Sequence, residues 1–119
     1  MTLSKQQWAY ACLAIVGLVA TWYFNIRFML ETSFVFDVAE FLRQGFANNA
    51  SSSLSADVTV GALAFSIWVL HESKRLNISK GWIFVVLTWT IAFAFAFPLF
   101  LIVRENYLLR LSERGSVAT

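Results

Sequence analysis

The sequence has one cysteine, one histidine and one proline among 119 residues. A single thiol cannot form an intrachain disulfide, so Cys12 is expected to pack as a small hydrophobic residue. A single histidine without a second ligand at a suitable spacing on the same face argues against a metal site. The nucleophile-elbow, zinc-protease, Cys-x-x-Cys, phosphate-loop and dinucleotide motifs are all absent, so no catalytic group has a visible partner.

Charged residues are also scarce. They make up 13% of the chain, against about a quarter in soluble domains, while 59% of the residues are hydrophobic. The net charge is only +2, and the nine Lys and Arg are spread along the chain. No basic patch with interleaved aromatic residues is present, which excludes a nucleic-acid partner. This composition predicts an integral membrane protein.

Three apolar runs are long enough to cross a bilayer. Residues 8–24, 54–71 and 82–103 would measure about 26, 27 and 33 Å as helices. The first run leads into the bulky Trp22, Tyr23 and Phe24 instead of a small-residue cleavage site, so it is predicted to be a retained span. The sequence therefore predicts an all-α integral membrane protein with three transmembrane helices, forming one membrane domain over residues 1–119.

An amphipathic segment, residues 32–46, separates the first two runs. Asp37, Glu40 and Gln44 fall at positions i, i+3 and i+7, opposite an apolar stripe. This pattern predicts an interfacial helix between the first and second spans. The polar residues 48–55 that follow have no periodicity and are predicted to form a loop.

Asp57 stands at the start of the second apolar run. With Ser55 as the N-cap, Asp57 is predicted to lie in the first helical turn, where the helix dipole favours a carboxylate. The alternative is a buried functional acid, because ionisable groups within a bilayer are usually functional. Glu72 marks the other end of this span, about 22 Å away.

The third apolar run contains small and aromatic residues at helical spacing. Thr88, Ala92 and Ala96 recur every four residues and are predicted to form a groove for close helix contact, with Ala62 and Ser66 as a matching surface. An adjoining ridge consists of Phe93, Phe97 and Phe100. The ridge is predicted to hold the helices together, and the alternative is a face for a chlorophyll, carotenoid, quinone or lipid at a partner interface.

His71, Pro98 and the basic connection give further expectations. His71 is predicted to be an interfacial histidine, with axial ligation of a chlorophyll or haem as the alternative. Pro98 cannot donate to the carbonyl of Ala94 and is predicted to kink the third span. The short connection at residues 71–81 carries three cations, which predicts a cytoplasmic loop, a cytoplasmic amino terminus and an external carboxyl terminus.

Four segments carry a resemblance to a known family. They are "FANNASSSLSAD", "ESKRL", "GW" and "PLFLIVRE". Together they resemble the bacterial and cyanobacterial membrane proteins grouped as domain of unknown function 2834, over roughly residues 8–105. The resemblance implies a small multi-span protein of a bacterial inner or cyanobacterial thylakoid membrane, and it implies no activity. The family's signature positions map onto Asn48, Ser52, Asp57, Glu72, Arg75, Pro98, Arg104 and Glu105.

Three functions are consistent with these features. The favoured hypothesis is a non-enzymatic accessory or assembly subunit that docks on a larger photosynthetic or respiratory membrane complex, with membrane lipids and other subunits as partners. The second is a homo-oligomeric half-transporter that uses Asp57 and the Pro98 kink. The third is a membrane protein or enzyme for a pigment or isoprenoid, with Asp57 or Glu72 as proton donor.

Overall fold

The computed structural model describes the backbone of residues 3–118 and the side chains of residues 3–114. Over this range the chain is helical and contains no strand, which confirms the all-α prediction. The five helices are α1 (Lys5–Glu31), α2 (Val38–Gly45), α3 (Asn49–Leu76), α4 (Trp82–Thr90) and α5 (Phe93–Ala118).

Two helices in the described part of the chain, α1 and α3, are long and apolar enough to cross a membrane. They contain 27 and 28 residues, which correspond to about 40 and 42 Å. Both are longer than the predicted spans 8–24 and 54–71. Only 6% of the apolar window of α1 and 22% of that of α3 are buried inside the chain.

The predicted third span, residues 82–103, is not one helix. The chain leaves α4 after Thr90, reverses at Ile91 and Ala92, and returns as α5. The rings of Phe84 and Phe100 lie 5.1 Å apart, whereas 16 residues of straight helix would separate them by about 24 Å. The prediction of a third continuous span is therefore wrong, and α4 with the first half of α5 forms a helical hairpin.

The hairpin reverses six residues before Pro98, and α5 runs on through Pro98. Pro98 has no N–H to donate to the carbonyl of Ala94. The backbone of Ala94 lies directly against Gly17 of α1, where a Cβ would overlap the Ala94 carbonyl oxygen. Gly17 therefore allows α1 to approach α5 closely. The approach is at the Ala94 carbonyl, which has no helical N–H donor because residue 98 is proline.

The contacts fix the direction of each helix. Gln7 bonds to Ile102 and Asn106 of α5, whereas Trp22 bonds to Ile91, so α1 and α5 are antiparallel. Three α3–α5 contacts share an offset of 32 residues, so these two helices are parallel. The contacting pairs are Phe65 with Phe97, Trp68 with Phe100, and Glu72 with Arg104.

These directions give the bundle two distinct ends. The start of α1, the end of α3 and the α5 residues after Ile102 lie together, and we call this the Glu72 end. The end of α1, α2 and the start of α3 lie at the opposite, or α2, end. Between the two ends, a core cluster joins α3, the turn after it and the hairpin: Phe65, Val69, Leu76, Ile78, Phe84, Ala96 and Phe100.

The short helix α2 connects α1 to α3. Phe28 of α1 packs edge-on against Phe36 and Phe41, with ring centroids 5.4 Å apart in both pairs. On the other side, the Ser55 hydroxyl donates to the carbonyl of Gly45 at 2.8 Å. A helix is present within the predicted segment 32–46, but it covers only Val38–Gly45, because Asp37 is its N-cap and accepts from the N–H of Glu40.

Helix α2 carries an exposed ion pair between Glu40 and Arg43. The Arg43 guanidinium hydrogen-bonds both carboxylate oxygens of Glu40, and Gln44 donates to Glu40 as well. These hydrogen bonds, with that of Arg43 the largest contribution, lower the pKa of Glu40 from 4.5 to about 2. Glu40 therefore stays ionised well below neutral pH.

Helix α3 begins earlier than the sequence pattern indicates. The Asn48 side chain accepts from the backbone N–H of Ser51 at 2.8 Å, and the Ser51 hydroxyl accepts from the N–H of Asn48. This capping box makes residues 49–55 helical, so the prediction of a polar loop there is wrong. Asn48, and not Ser55, is the N-cap.

We predict that Gly17→Ala destabilises the protein. Alanine normally stabilises a helix by about 1 kcal/mol relative to glycine, but the new methyl group would overlap the Ala94 carbonyl. The expected net loss is about 1–3 kcal/mol, measured as a lower thermal midpoint of the detergent-solubilised protein.

Gly61→Ala is the matched control. A Cβ at Gly61 would meet the Phe93 ring at 3.4 Å, an ordinary contact, so this substitution should be neutral or stabilising. A midpoint for Gly17→Ala at or above that of Gly61→Ala would refute the close packing of α1 on α5.

Candidate functional site

The most organised polar cluster lies at the Glu72 end. Glu72 of α3 is 5% exposed, although the adjacent His71 is exposed. The Arg75 side chain donates from Nε to Oε2 at 3.1 Å and from Nη2 to Oε1 at 2.5 Å. From α5, the Arg104 Nε donates to Oε1 at 2.9 Å. One buried carboxylate therefore holds two guanidinium groups from two helices.

The helix register places these three residues. Arg75 follows Glu72 by three residues and lies on the same face of α3. Arg104 meets Glu72 because α3 and α5 are parallel with the constant offset of 32 residues. The Arg104 guanidinium also lies over the Trp68 ring, 5.6 Å from its centroid, which adds a cation–π contact.

A second polar contact lies at the same end. Gln7 is 1% exposed, and its amide nitrogen donates to the Ile102 carbonyl at 3.2 Å and to Asn106 Oδ1 at 2.7 Å. The same glutamine completes the capping box of α1 with Ser4. Helix α5 is thereby tied to α3 by Arg104 and to α1 by Asn106, within one turn.

The structure brings Glu72, Arg75 and Arg104 together from separate sequence motifs. Glu105, next to Arg104, is half-buried and takes no part in the ion pairs of the described residues. Asn48, Ser52 and Asp57 lie at the α2 end, far from this cluster. The signature positions at the two ends therefore form separate groups, and Pro98 lies within α5 between them.

Asp57 does not cap α3. It lies in the third turn, eight residues after Asn49, because the capping box starts the helix earlier than predicted. Its side chain is exposed, and in the described part of the chain it makes no hydrogen bond or ion pair. The prediction that Asp57 lies in the first helical turn is wrong.

The predicted small-residue groove is divided among three elements. Thr88 lies on α4, Ala92 in the reversal and Ala96 on α5, so they do not form a stripe on one helix. All three are buried, as are Ala62 and Ser66 of α3. The Trp89 indole donates to the Ser66 hydroxyl at 3.1 Å, which joins α3 to α4 at this level.

The aromatic ridge faces mostly inward. Phe100 is completely buried against Phe65, Trp68 and Phe84, so it cannot face a pigment of a partner subunit. Phe97 stacks on Phe65 at 4.8 Å but stays 36% exposed. The alternative that all three Phe side chains form an outer ligand face is wrong for Phe100.

Sequence reasoning missed Gln7 and Trp22. The Trp22 indole donates to the Ile91 carbonyl at 2.9 Å and so covers the hairpin reversal. The motif Ser4-x-x-Gln7 is a capping-box signal that marks the start of α1. No sequence signal gives the long-range partners, because these depend on a reversal that the apolar run does not reveal.

We predict that Arg104→Met lowers the free energy of unfolding by about 1.5–3 kcal/mol, because it removes one charge-assisted hydrogen bond to a buried carboxylate that Arg75 still pairs with. Arg110→Met, on the exposed face of the same helix, should change it by less than about 0.5 kcal/mol. Chemical denaturation in detergent micelles measures both. Equal effects of the two substitutions would show that the Glu72 contact contributes no stability.

Comparison with known proteins identifies the family. The model of the family described as "Protein of unknown function DUF2834" matches residues 9–106. The match covers most of the chain, so the chain belongs to this family. No curated protein and no solved structure matches it.

Proposed function

We propose that this chain is an integral membrane protein with two full spans and a re-entrant helical hairpin, and that it acts as a non-catalytic accessory or assembly subunit of a larger membrane complex. The membrane placement is supported by the length and outward apolar surface of α1 and α3. Non-helical backbone at membrane depth is tolerated where protein covers it, and Trp22 covers the carbonyl at the reversal.

The charge distribution supports an orientation. The Glu72 end carries seven of the nine cations and three acids, a net charge of +4: Lys5, Lys74, Arg75, Lys80, Arg104, Arg110 and Arg114 against Glu72, Glu105 and Glu113. The α2 end carries two cations and four acids, a net charge of −2. The positive-inside rule counts Lys and Arg, seven against two, and therefore favours a cytoplasmic Glu72 end. Both the amino-terminal residues and the end of α5 then lie on that side, in contrast to the external carboxyl terminus expected from three spans.

Helix geometry gives the depth of Asp57. Arg27 follows Gln7 by 20 residues of α1, about 30 Å, which equals the thickness of a hydrocarbon core. Asp57 precedes Glu72 by 15 residues of α3, about 22 Å. Gln7 and Glu72 lie at the same level of the bundle. If Arg27 lies at the edge of the hydrocarbon core, Asp57 therefore lies about 8 Å inside that edge, the difference between the two lengths.

The exposure of Asp57 is the observation that carries the docking proposal. It begins a line of exposed residues at heptad-like spacing, which we call the outer α3 face: Asp57, Val60, Ala64, Ile67 and His71. Charged residues within membrane spans almost always face protein or water-filled cavities. A carboxylate on the outward face, at the depth derived above, therefore favours a second protein against this face.

A second candidate function, binding of a pigment or isoprenoid, is favoured by a groove between α1 and α5. Its volume is about 580 Å³, its surface is almost entirely apolar, and its lining includes Tyr10, Leu13, Gly17, Phe93, Phe97 and Pro98. Such a groove fits a polyene or isoprenoid chain. His71 on the outer α3 face is a separate position for axial ligation of a chlorophyll or haem at a partner interface.

We predict that fusions to the two ends of the chain report the same side of the membrane. Green fluorescent protein should fluoresce at both ends, and alkaline phosphatase should be inactive at both, because the hairpin returns α5 to the side where α1 begins. A fusion in the α2 segment should give the opposite result. Three full spans would place the two ends on opposite sides, and that outcome would contradict the hairpin topology.

We predict that the outer α3 face holds partner subunits. The wild-type protein, extracted from native membranes in mild detergent, should copurify with other subunits, whose identity names the complex as respiratory or photosynthetic. Asp57→Asn and Ile67→Trp should reduce this copurification, the former because a charge paired across a buried interface is worth about 2–5 kcal/mol. Val19→Trp, at a similarly exposed position on α1, is the control.

The same preparation separates the alternatives. A lone monomer without partners would refute docking. A dimer of this chain, with proton-linked uptake abolished by Asp57→Asn, would favour the half-transporter. A visible absorption spectrum that is lost in Phe97→Ala would favour the pigment-binding function.

A further inference from the structure

A cavity of about 790 Å³ lies at the α2 end, between α1, α2 and α3. The hairpin reaches down α1 only to the level of Trp22, and on α3 it contacts Gly61 through Phe93. Between the reversal and the α2 end, neither α4 nor α5 lies between α1 and α3, and only α2 contacts both. The cavity occupies this part of the bundle, at the level of Arg27, where the edge of the hydrocarbon core is placed.

The lining of the cavity has two kinds of surface. Its apolar part consists of Phe24, Phe28, Phe41 and Leu54. Its polar part, drawn from all three helices, consists of Arg27, Glu31, Gln44, Ser51 and Ser55, together with the backbone of Gly45. This division fits a molecule with a polar head and an apolar tail.

The two charges of the lining do not neutralise each other. Arg27 donates to the Tyr23 hydroxyl at 3.2 Å and lies over its ring, and it has no carboxylate within 4.0 Å in the described residues. Glu31 lies one turn further along α1 and, over the same range, has no cation within that distance. A positive and a negative group, one helical turn apart, complement a head group that carries both signs.

We propose that this cavity binds one phospholipid with an ammonium-bearing head group, of the phosphatidylethanolamine type. Arg27 binds the phosphate, Glu31 binds the ammonium, and an acyl chain packs against Phe24 and Phe28. A lipid is the fitting occupant because the cavity opens at the depth of the head groups. This proposal rests on the membrane placement proposed above, but it requires no partner subunit.

Native mass spectrometry of the full chain tests the proposal. The detergent-solubilised protein is incubated with an equimolar mixture of phosphatidylethanolamine and phosphatidylglycerol. One phosphatidylethanolamine per chain should be retained in preference to phosphatidylglycerol. Arg27→Gln should lower this retention about tenfold, because it removes a charge-assisted hydrogen bond, and Arg27→Lys should restore part of it. Glu31→Gln should abolish the preference between the two lipids.

Arg43→Gln is the matched control, because Arg43 lies at the same end, pairs with Glu40 and does not line the cavity. It should retain lipid as the wild type does. Equal retention by Arg27→Gln and the wild type, or a wild-type preference for phosphatidylglycerol, would overturn the proposal. The lipid preference of Glu31→Gln decides the matter if Arg27→Gln does not fold, and the terminal fusions report membrane placement separately.

Discussion

The reversal between α4 and α5 requires every polar backbone group at Ile91 and Ala92 to find a partner inside the protein. The N–H groups of both residues donate to the Leu87 carbonyl, at 2.9 and 3.0 Å. The Ala92 carbonyl accepts from the N–H of Ala96, and the Ile91 carbonyl accepts from the Trp22 indole. An unpaired group in an apolar environment would cost several kcal/mol. Helix α1 must therefore lie where the Trp22 indole can donate to the Ile91 carbonyl.

The Glu72 cluster fixes the other end of the same hairpin. Arg104 and Asn106 hold α5 to α3 and α1, while aromatic packing of Phe65 against Phe97 and of Phe84 against Phe100 fills the space between the cluster and the reversal. Aromatic packing alone would allow slippage along the helices. The hydrogen bonds to Glu72 and Gln7 have directional geometry, so they select one register.

The sequence allowed the all-helical class and the two long apolar helices to be predicted, but not the reversal within the third apolar run. The run from Trp82 to Val103 satisfies the length criterion for a span, and its reversal at Ile91 and Ala92 contains neither glycine nor proline, the usual turn signals. Pro98 predicted a kink six residues after the position where the chain in fact reverses. Residues 48–55 are polar, yet the Asn48 capping box makes them helical. The Glu72 cluster was not predictable, because it depends on an α3–α5 register that only tertiary packing sets.

The ribosome synthesises Trp22 before the backbone carbonyl to which its indole donates. Trp22 precedes its partner Ile91 by 69 residues. At about 5–20 residues per second, the ribosome completes α1 several seconds before it adds Ile91. The N-terminal helix is thus present as a template when the hairpin emerges, and the nascent hairpin acquires its last backbone partner by folding onto a helix made earlier. A circularly permuted chain that begins at α3 would lose this order, because its hairpin would be made before the helix that completes it.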